Sequence, residues 1–462
     1  MPRGKTLRAA PIMGGNPPSF PATPRSARGA PAVPSARQAP ASPDSRMPLP
    51  ATSTRRLALL LAGLAMFGPF SIDTIFPAFP QLAQRLGVDQ TAVQQTVSVY
   101  LLAYGVMSLA HGALSDAFGR RRVILAGLCV FVAASAGCAL SRDLGTLLLF
   151  RALQGFSAGA GMIVGRAVIR DLYAGPLAQK LMSQVSMIFG IAPAIAPIMG
   201  GWILGTGQGW PMIFWFLMVF GLLLLLATAA WLPETLPVDA RTPLSPRGLA
   251  RRYASIGLDR RFQRLAASGA LAFGGVFLYI ASAPVFVLEL LGKTEQEFAW
   301  LFLPTIGGMT LGAWLSGRMA GRMKPATQAR LGFICCGVSG LASIVYALLA
   351  PRLEVPWAVL PIFVAGTGMG LVFPILALAV LDLYPHQRGL ASSLQAFVQL
   401  MVSALVAGVV SPLVAHHPVK LALAASAFFV AGWLCWKADR RAGRRLPRQD
   451  AISPRLEPQD NI

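Results

Sequence analysis

The sequence is poor in charged residues, and poorest in acids. Asp and Glu number 18 among 462 residues, against 40 Lys and Arg, and the four charged types together make up only 13% of the chain. Hydrophobic residues account for 55%, and the mean hydropathy is +0.59. A soluble globular chain carries about twice as much charge. The composition therefore excludes an ordinary soluble protein and predicts one that crosses a membrane several times.

Cysteine and histidine are scarce as well, and their placement excludes two kinds of site. The five cysteines lie in apolar runs without the spacing of zinc ligands or redox pairs, so we expect them to be inert packing residues. The four histidines are scattered along the chain, whereas an enzyme would group His, Asp, Glu or Ser near one face. We therefore predict a protein that is not an enzyme and that holds no metal and no cofactor.

The apolar residues are grouped in runs of roughly 20, the length that crosses a bilayer as a helix. We place twelve such spans, six on each side of a polar segment at 233–264. The predicted spans are 57–80, 94–115, 122–141, 146–168, 180–204, 211–232, 265–290, 298–320, 329–350, 356–380, 389–413 and 418–437. The sequence thus predicts an all-α membrane protein with two six-helix bundles, 57–232 and 265–438, joined by a cytoplasmic linker at 233–264.

Positive charge is concentrated on one side of this predicted topology. If the N-terminus is cytoplasmic, 34 of the 40 Lys and Arg fall in cytoplasmic tails and loops, five fall in outer loops, and Arg151 lies inside a span. This asymmetry predicts that both termini are cytoplasmic. The net charge of +22 then reflects orientation in a lipid bilayer rather than a nucleic-acid partner, because no water-exposed segment is long enough to fold around a basic patch.

The two ends of the chain have the composition of tails. Residues 1–56 are mostly Pro, Ala, Ser and Arg, which predicts a disordered basic tail, and a translation start at Met47 is the alternative. We expect no cleavable signal peptide, because the first apolar run is long and contains an acid. Residues 439–462 are basic and polar and are predicted to form a second cytoplasmic tail.

A single acid, Asp73 in the segment SIDTIFPAFP, lies well inside the first span. Burial of a carboxylate in hydrocarbon is costly, so we expect Asp73 to face a cavity, find a partner or take up a proton. A hydrated structural position near the outer helix end is the alternative. Its candidate partner is Arg151 in RALQG of the fourth span, with Gln154 placed to hold the guanidinium when Asp73 is protonated. Arg151 would otherwise extend to the lipid headgroups.

Two further segments combine glycine with residues that bend or cap helices. The fifth span contains GIAPAIAPIMGG, in which Pro193, Pro197, Gly200 and Gly201 predict a bent, tightly packed helix that gates a cavity. A kink without a gating role is the alternative interpretation.

The turn GALSDAFGRRR, residues 112–122, places two glycines, an acid and three arginines between the second and third spans. We expect Asp116 and Arg120 to reach helix ends in the opposite half and so lock one conformation. Asp171, at the end of the fourth span, is expected to exchange ion pairs with the arginines at 120–122. Orientation signalling explains the arginines equally well, but not the two acids. The second half carries a degenerate copy, SGRMAGRM at 316–323, which lacks the acid.

Aromatic residues at mid-membrane depth are candidates for the lining of an apolar cavity with few polar groups, as ligand pockets require. Packing against lipid is the alternative for each of them. The candidate cavity residues are Phe70, Tyr100, Tyr104, Phe189, Phe273 and Phe277.

Together these motifs resemble the major facilitator superfamily over about residues 57–438, and within it the twelve-helix drug/proton antiporters of the bicyclomycin and chloramphenicol resistance (Bcr/CflA) group. GALSDAFGRRR is similar to the family's loop 2–3 motif, RALQG to its fourth-helix motif and APAIAPIMGG to its fifth-helix motif. The resemblance implies proton coupling through Arg151, Gln154 and Gly155. It implies a conformational latch of Gly112, Asp116, Gly119, Arg120 and Arg121. Ala65 stands where related exporters of cationic drugs often carry an acid, which favours neutral or zwitterionic substrates.

We therefore expect a monomeric, multi-pass transporter of the bacterial inner membrane. It would export a small amphipathic compound of the phenicol or bicyclomycin type in exchange for protons, driven by the proton gradient. The first alternative is a transporter of an ordinary metabolite with the same fold. A membrane-embedded enzyme or a substrate-sensing receptor is the second.

Overall fold

The computed structural model describes residues 54–173, 175–385 and 387–445, and within these ranges all regular secondary structure is helical. The first half contains α1 (Thr54–Asp73), α2 (Phe79–Leu86), α3 (Gln90–Phe118), α4 (Arg120–Leu140), α5 (Leu144–Gly159), α6 (Gly165–Leu172), α7 (Gly175–Gly205) and α8 (Pro211–Trp231). The linker contains α9 (Pro246–Gly257). The second half contains α10 (Arg260–Ala281), α11 (Ala299–Met319), α12 (Pro325–Leu349), α13 (Leu360–Leu383), α14 (Arg388–Leu405), α15 (Ser411–Val414) and α16 (Pro418–Arg445).

Ten helical stretches of the described chain are long and apolar enough to cross a membrane, and each overlaps a predicted span, although Arg260–Ala281 begins and ends earlier than the predicted 265–290. The two predicted spans outside this set are 180–204 and 298–320. The first corresponds to α7, whose early turns are polar and whose apolar part is the shorter stretch Gly190–Gly205. The second corresponds to α11, in which glycine, threonine and tryptophan lower the hydropathy. The chain is thus an all-helical protein with multiple membrane spans.

The outward faces of several helices confirm an apolar surrounding. Leu223 and Leu226 of α8 and Leu341 and Leu348 of α12 are each more than half exposed. Leucines in such density would be unfavourable against water, whereas lipid tails accept them at no cost. These faces therefore lie against the bilayer.

Several helices are interrupted where proline or an irregular turn intervenes. α1 ends at Asp73, and the chain continues through a 3₁₀ turn, Phe76–Ala78, into α2. Pro77 and Pro80 lack the amide hydrogen that would extend the α-helical ladder, so the regular helix is interrupted beyond Asp73. Three π-helical segments occur in other helices of the described chain. They are Ala160–Val164, Val285–Leu290 and Val406–Val410.

Glycines set the closest helix contacts in both halves. A Cβ on Gly155 of α5 would collide with the backbone of Tyr100 in α3, and one on Gly161 would collide with the carbonyl of Leu64 in α1. The same relation recurs in the second half, where Gly312 of α11 faces the carbonyl of Thr367 in α13. Small residues let helix backbones approach closely in a membrane, so these glycines are packing residues.

The two halves meet along two helix pairs, α3 with α14 and α7 with α11. We call the end of the bundle that carries the start of α3 and His416 the Gln90 end, and the end that carries the α3–α4 turn and α9 the Arg120 end. Near the Gln90 end, α7 approaches the second half so closely that a Cβ on Gly201 would collide with the carbonyl of Glu295. Further along, α7 and α11 leave a cleft of about 530 Å³ between them.

The predicted tails lie mostly outside the described residues, but their inner boundaries need correction. Residues 54–56 belong to α1, and residues 439–445 extend α16 rather than starting a solvated tail. Asp439 is only 7% exposed and lies 3.5 Å from Arg261 across the gap to α10. A helix that already emerges from the membrane continues while its side chains find such partners.

Candidate functional site

Arg151 is fully buried in α5 and is held by neutral acceptors. Its Nη1 donates to the carbonyl of Ser71 at 2.9 Å and to Oε1 of Gln154 at 2.9 Å, and its Nε donates to the carbonyl of Thr96 at 3.2 Å. The guanidinium carbon lies 4.6 Å from the centre of the Tyr100 ring. At 0% exposure, Arg151 does not extend to the headgroups, so that alternative is wrong.

Gln154 is oriented by a chain of hydrogen bonds in the same core. Its Nε2 donates to Oγ of Ser135 at 2.8 Å, and the Ser135 hydroxyl donates to the carbonyl of Phe131 at 2.7 Å. The amide therefore presents its oxygen to Arg151 and its nitrogen to α4, the only arrangement that satisfies both neighbours. The structure thus places Gln154 where the sequence predicted, as a holder of the guanidinium.

Asp73 does not pair with Arg151 in this structure, which corrects the expected ion pair. Asp73 is 4% exposed at the end of α1, and no described residue hydrogen bonds to its carboxylate or forms an ion pair with it. The reason is rotational, because Ser71 faces the guanidinium and residues two apart on a helix do not point the same way. The two charges still interact electrostatically at longer range.

One hydrogen-bond donor of Arg151 has no partner in the described part of the chain. Its Nη2 is buried and has no hydrogen-bond partner among the described residues. A buried guanidinium normally uses its full fork of donors, and leaving one of them unpaired costs free energy. Among the described residues, the first half thus contains a buried acid without a hydrogen bond and a buried guanidinium donor without a partner.

The candidate cavity residues fall into separate groups, which corrects the prediction of one shared lining. Tyr100 and Tyr104 pack edge to face at 6.4 Å, and the Tyr100 hydroxyl donates to the carbonyl of Gly68. Phe70 packs against rings of α8 instead. Phe273 and Phe277 stack at 5.7 Å on α10, and the side chain of Phe189 lies outside the described residues. Aromatic rings gain more from packing on one another than from lining open space.

The α7–α11 cleft is lined by other residues. Seven of its eight lining residues are apolar, and the eighth, Thr310, contributes a hydroxyl. The lining residues are Ile191, Ala194, Leu303, Ile306, Gly307, Thr310, Leu311 and Trp314. On α11 they recur every three or four residues, so one helical face forms most of the wall. This face was not predicted from the sequence, because its periodic pattern is the same as that of ordinary lipid-facing packing.

At the Arg120 end, the α3–α4 turn forms an ion network within the first half. Arg120 pairs with Asp116 four residues earlier, and its Nε donates to Oδ2 of Asp171 at 3.1 Å. The Arg120 amide donates to Oε1 of Glu234 at 2.8 Å. The expected contact of Arg120 and Asp171 is therefore present. Among the described residues, the expected contact of the turn with the opposite half is not seen, and Glu234 at the end of α8 supplies the third acid.

The glycines of this turn differ in what they require. Gly119 has a φ of +101°, which L side chains rarely adopt, and the Glu234 carboxylate occupies the space of its missing Cβ. Gly112 is helical and has open space beside it. Arg121 donates from Nη2 to the carbonyl of Ala229 at 2.7 Å. Gly119 and Arg121 thus fix the turn against α8, whereas Gly112 has no such contact.

The predicted bend in the fifth span takes the form of one continuous helix. Pro193 and Pro197 lie inside α7, which runs without a break from Gly175 to Gly205. Gly200 packs against the carbonyl of Thr74 in its own half, whereas Gly201 packs against the opposite half. Proline inside a membrane helix is tolerated where neighbouring helices pack against it, and the contacts of Gly200 and Gly201 hold α7 in this way.

A polar face on α3 was not predicted from the sequence. Gln94 donates to the carbonyl of Ala281 at 2.7 Å and to Oγ of Ser411 at 2.6 Å. Gln95 donates to the carbonyl of Gly408 at 2.9 Å. These are contacts between the two halves, and the spacing of the polar residues within an apolar run was the available signal.

Comparisons with known proteins agree with the motifs. The model of the Major Facilitator Superfamily matches residues 59–408. The uncharacterized MFS-type transporter YdgK of Bacillus subtilis is 33% identical over 79% of this chain and 90% of its own length. The bicyclomycin resistance protein homolog of Haemophilus influenzae is 27% identical, over 78% and 89% of the two chains. Multidrug resistance protein D of Escherichia coli is 29% identical, over 82% and 94%.

Solved structures agree on the fold. A peptide transporter, POT, in complex with sulfate superimposes with a TM-score of 0.68 at 17% identity, covering 84% of this chain and 95% of that one. The matched family model spans most of the described helices, and the resemblance inferred from the motifs is thereby confirmed. The chain belongs to the major facilitator superfamily.

Proposed function

We propose that this protein exports small amphipathic, drug-like compounds in exchange for protons, by alternating access between its two halves. The observation that carries the coupling is the burial of Asp73 within electrostatic reach of Arg151, whose Nη2 has no hydrogen-bond partner among the described residues. Relatives named for bicyclomycin and multidrug resistance support the class of substrate. The proton gradient supplies the energy, and the mechanism requires no cofactor.

The charge distribution supports the orientation. With six spans in each half, as predicted from the sequence, both termini lie on the same side of the membrane as the α3–α4 turn. The Arg120 end carries this basic turn, the linker helix α9 and the end of α16. Because basic segments stay on the cytoplasmic side, the Arg120 end and both termini face the cytoplasm of a bacterial inner membrane. The Gln90 end then faces outward, the side from which protons enter.

The coupling step follows from the two unpartnered groups. While Asp73 carries a proton, Arg151 is held by the neutral acceptors Ser71, Thr96 and Gln154, as in this structure. Loss of the proton restores the negative charge of Asp73. This charge attracts the unpartnered Nη2 and draws the guanidinium away from its neutral acceptors. Exchange of these two arrangements, with the proton taken up from the outside and released to the inside, changes the packing of α1 against α5.

The substrate class follows from the lack of buried acids along the apolar surfaces. Ala65 is buried in α1, and the α7–α11 cleft carries a single hydroxyl. The cleft is open on the surface of the bundle, where Leu303 is 54% and Trp314 50% exposed, so it offers an apolar surface rather than an enclosed site. A cation would find no counter-charge there, so neutral or zwitterionic amphiphiles of the phenicol or bicyclomycin type fit best.

The test is the accumulation of labelled chloramphenicol in pump-deficient bacteria that express the chain. We expect lower accumulation with the wild-type protein, restored by a protonophore and by Asp73→Asn. Asp89→Asn is the matched control, because Asp89 is an exposed cap of α3 and asparagine caps helices as well.

Two outcomes would contradict the proposal. Unchanged export by Asp73→Asn would remove the coupling role of Asp73. Equal accumulation in all strains, with the protein confirmed in the membrane, would exclude phenicols, and the same failure with bicyclomycin would favour transport of a metabolite.

A further inference from the structure

Four polar residues on one face of α3 donate hydrogen bonds from the first half to the second. Gln90 donates to Oε1 of Glu289 at 2.9 Å, and Ser98 donates to the carbonyl of Ala404 at 3.0 Å. Gln94 and Gln95 lie between them. Residues spaced by four, five and eight positions fall on one side of a helix, so the four contacts form a row along the junction of the halves.

Gln94 occupies the most buried position in this row. It is 7% exposed, and its amide donates to the Ala281 carbonyl and the Ser411 hydroxyl. Ser411 and Ser282 are both fully buried, and their hydroxyl oxygens lie 2.7 Å apart. We call Gln94, Ser282 and Ser411 the α3 clasp. In a low-dielectric region such a network is stable only when all of its members are satisfied, so loss of one leaves the others unpaired.

The partners of the clasp lie where the helices of the second half are irregular. Ser282 follows the last residue of α10 and precedes the π-helical segment Val285–Leu290, and Ser411 follows the π-helical segment Val406–Val410. π-helical segments are short and frequent at functional sites, because they place extra carbonyls and strain in a helix. The clasp therefore joins a regular helix of one half to the two interrupted helices of the other.

We propose that the α3 clasp is the lock that keeps the Gln90 end closed, and that Gln94 is the residue that sets how readily this end opens. The inference rests on the proposed function, since alternating access requires the Gln90 end to open once in each cycle. When the halves separate, water replaces the partners of Gln94, Ser282 and Ser411, so the open state is hydrated along this face of α3. The clasp thus favours the closed state without preventing the open one.

The test measures opening directly, without a substrate. A protein with its five cysteines replaced carries Ala404→Cys as a reporter, because Ala404 is 4% exposed and lies between two residues that pack on α3. Those residues are Met401, which contacts Gly105, and Gly408, which contacts Ser98. An impermeant thiol reagent is applied to right-side-out membrane vesicles, and the labelling rate is normalised to the label taken up after denaturation.

We expect Gln94→Ala to accelerate labelling about tenfold, the factor equivalent to one or two hydrogen bonds. Gln90→Ala is the matched control, because Gln90 has the same side chain and also donates across the junction, but its contact with Glu289 is exposed. Exposed polar contacts contribute little, so we expect less than about a twofold change for Gln90→Ala.

Equal labelling rates for the two variants would overturn the proposal. If Gln94→Ala does not reach the membrane, Ser282→Ala removes one hydroxyl of the clasp and is expected to accelerate labelling about threefold. An unchanged rate in that variant would also overturn it. Drug export is measured on the wild-type protein as well, so accelerated labelling of Gln94→Ala together with no export by the wild-type protein would retain the clasp and refute the proposed function instead.

Discussion

The two halves bury different kinds of polar group. In the first half, Asp73, His111 and Arg151 are each at most 4% exposed. In the described part of the second half, the buried polar groups within the spans are hydroxyls and the amide of Gln328, and the buried acid Asp439 lies beside Arg261 at the Arg120 end. The hydroxyls are Ser268, Ser282, Thr305, Ser316, Ser339, Ser403 and Ser411.

Despite this difference, the halves are packed alike. α3 lies against α5 as α11 lies against α13, and in each pair a glycine meets a facing carbonyl, at Gly155 in the first half and at Gly312 in the second. The helix contacts therefore do not require buried charge. Charge that is expensive to bury and unnecessary for packing is retained for another reason, and transport coupled to protons supplies one.

The largest effect is expected at Arg151, the buried cation that distinguishes the first half from the second. Arg151→Lys should lower the rate of proton-driven export at least about tenfold, because an ammonium group cannot match the fork of donors that reaches α1, α3 and Gln154 together. Arg142→Lys is the matched control, since Arg142 is exposed just before the same helix, and it should change the rate less than about twofold. Export rates are compared at equal amounts of membrane protein. A wild-type rate for Arg151→Lys would show that charge alone suffices.

The membrane spans and the buried charges of the first half could be predicted from the sequence. The spans follow from the length and composition of the apolar runs, which determine where a helix can cross a membrane. The spans at 122–141 and 211–232 coincide with α4 and α8 within two residues. Asp73 and Arg151 stood out because a charged residue inside an apolar run has few inexpensive explanations. The contact of Arg151 with Gln154 was predictable too, since residues three apart share a helix face.

The contacts between distant segments could not be predicted in the same way. The absence of an Asp73–Arg151 ion pair depends on the rotation of α1, which brings Ser71 rather than Asp73 to the guanidinium. Glu234 joins the Arg120 network from more than 100 residues away. The α3 clasp depends on which helix of the second half faces Gln94. Each of these is decided by helix rotation and pairing, about which a single sequence carries little information.

A smaller effect is expected from substitutions that test whether the two halves are packed in the same way. Gly155→Ala and Gly312→Ala should each lower the free energy of unfolding by about 2 kcal/mol, because each added methyl group meets a facing backbone that cannot move aside easily. Gly112→Ala is the control, since nothing lies near its missing Cβ, and alanine should stabilise that helix by a few tenths to about 1 kcal/mol. Unfolding in detergent measures all three. A loss confined to Gly155→Ala would mean that the second half is packed differently.

A weaker effect is expected at the two related turns, α3–α4 and α11–α12. Arg120→Ala removes a side chain that pairs with Asp116 and Asp171, and should destabilise the protein by about 1–2 kcal/mol because two acids are left near each other. Arg318→Ala removes only a stacking contact with Trp314, 4.2 Å away, and should cost about 0.5 kcal/mol. Thermal unfolding in detergent at low salt compares them. Equal losses would show that the ion network adds nothing to the turn, and added salt should reduce only the loss for Arg120→Ala.

The smallest effect concerns the contact that closes the second half at the Arg120 end. Burial tends to raise the pKa of the Asp259 carboxyl, but hydrogen bonds from the Tyr384 hydroxyl at 2.5 Å and the Arg261 amide at 2.8 Å outweigh it and lower the pKa below its ordinary value. A lowered pKa means that the folded state favours the charged form, so this stabilisation is present at neutral pH and is lost as the pH falls below the ordinary value near 3.8. Tyr384→Phe should therefore lower the melting temperature slightly at pH 7. The corresponding loss in the free energy of unfolding should be less than about 1 kcal/mol, because the carboxyl is mostly exposed. The difference from wild type should shrink towards pH 3, and a difference that is constant across this range would assign the effect to packing of the Tyr384 ring on Phe262 instead.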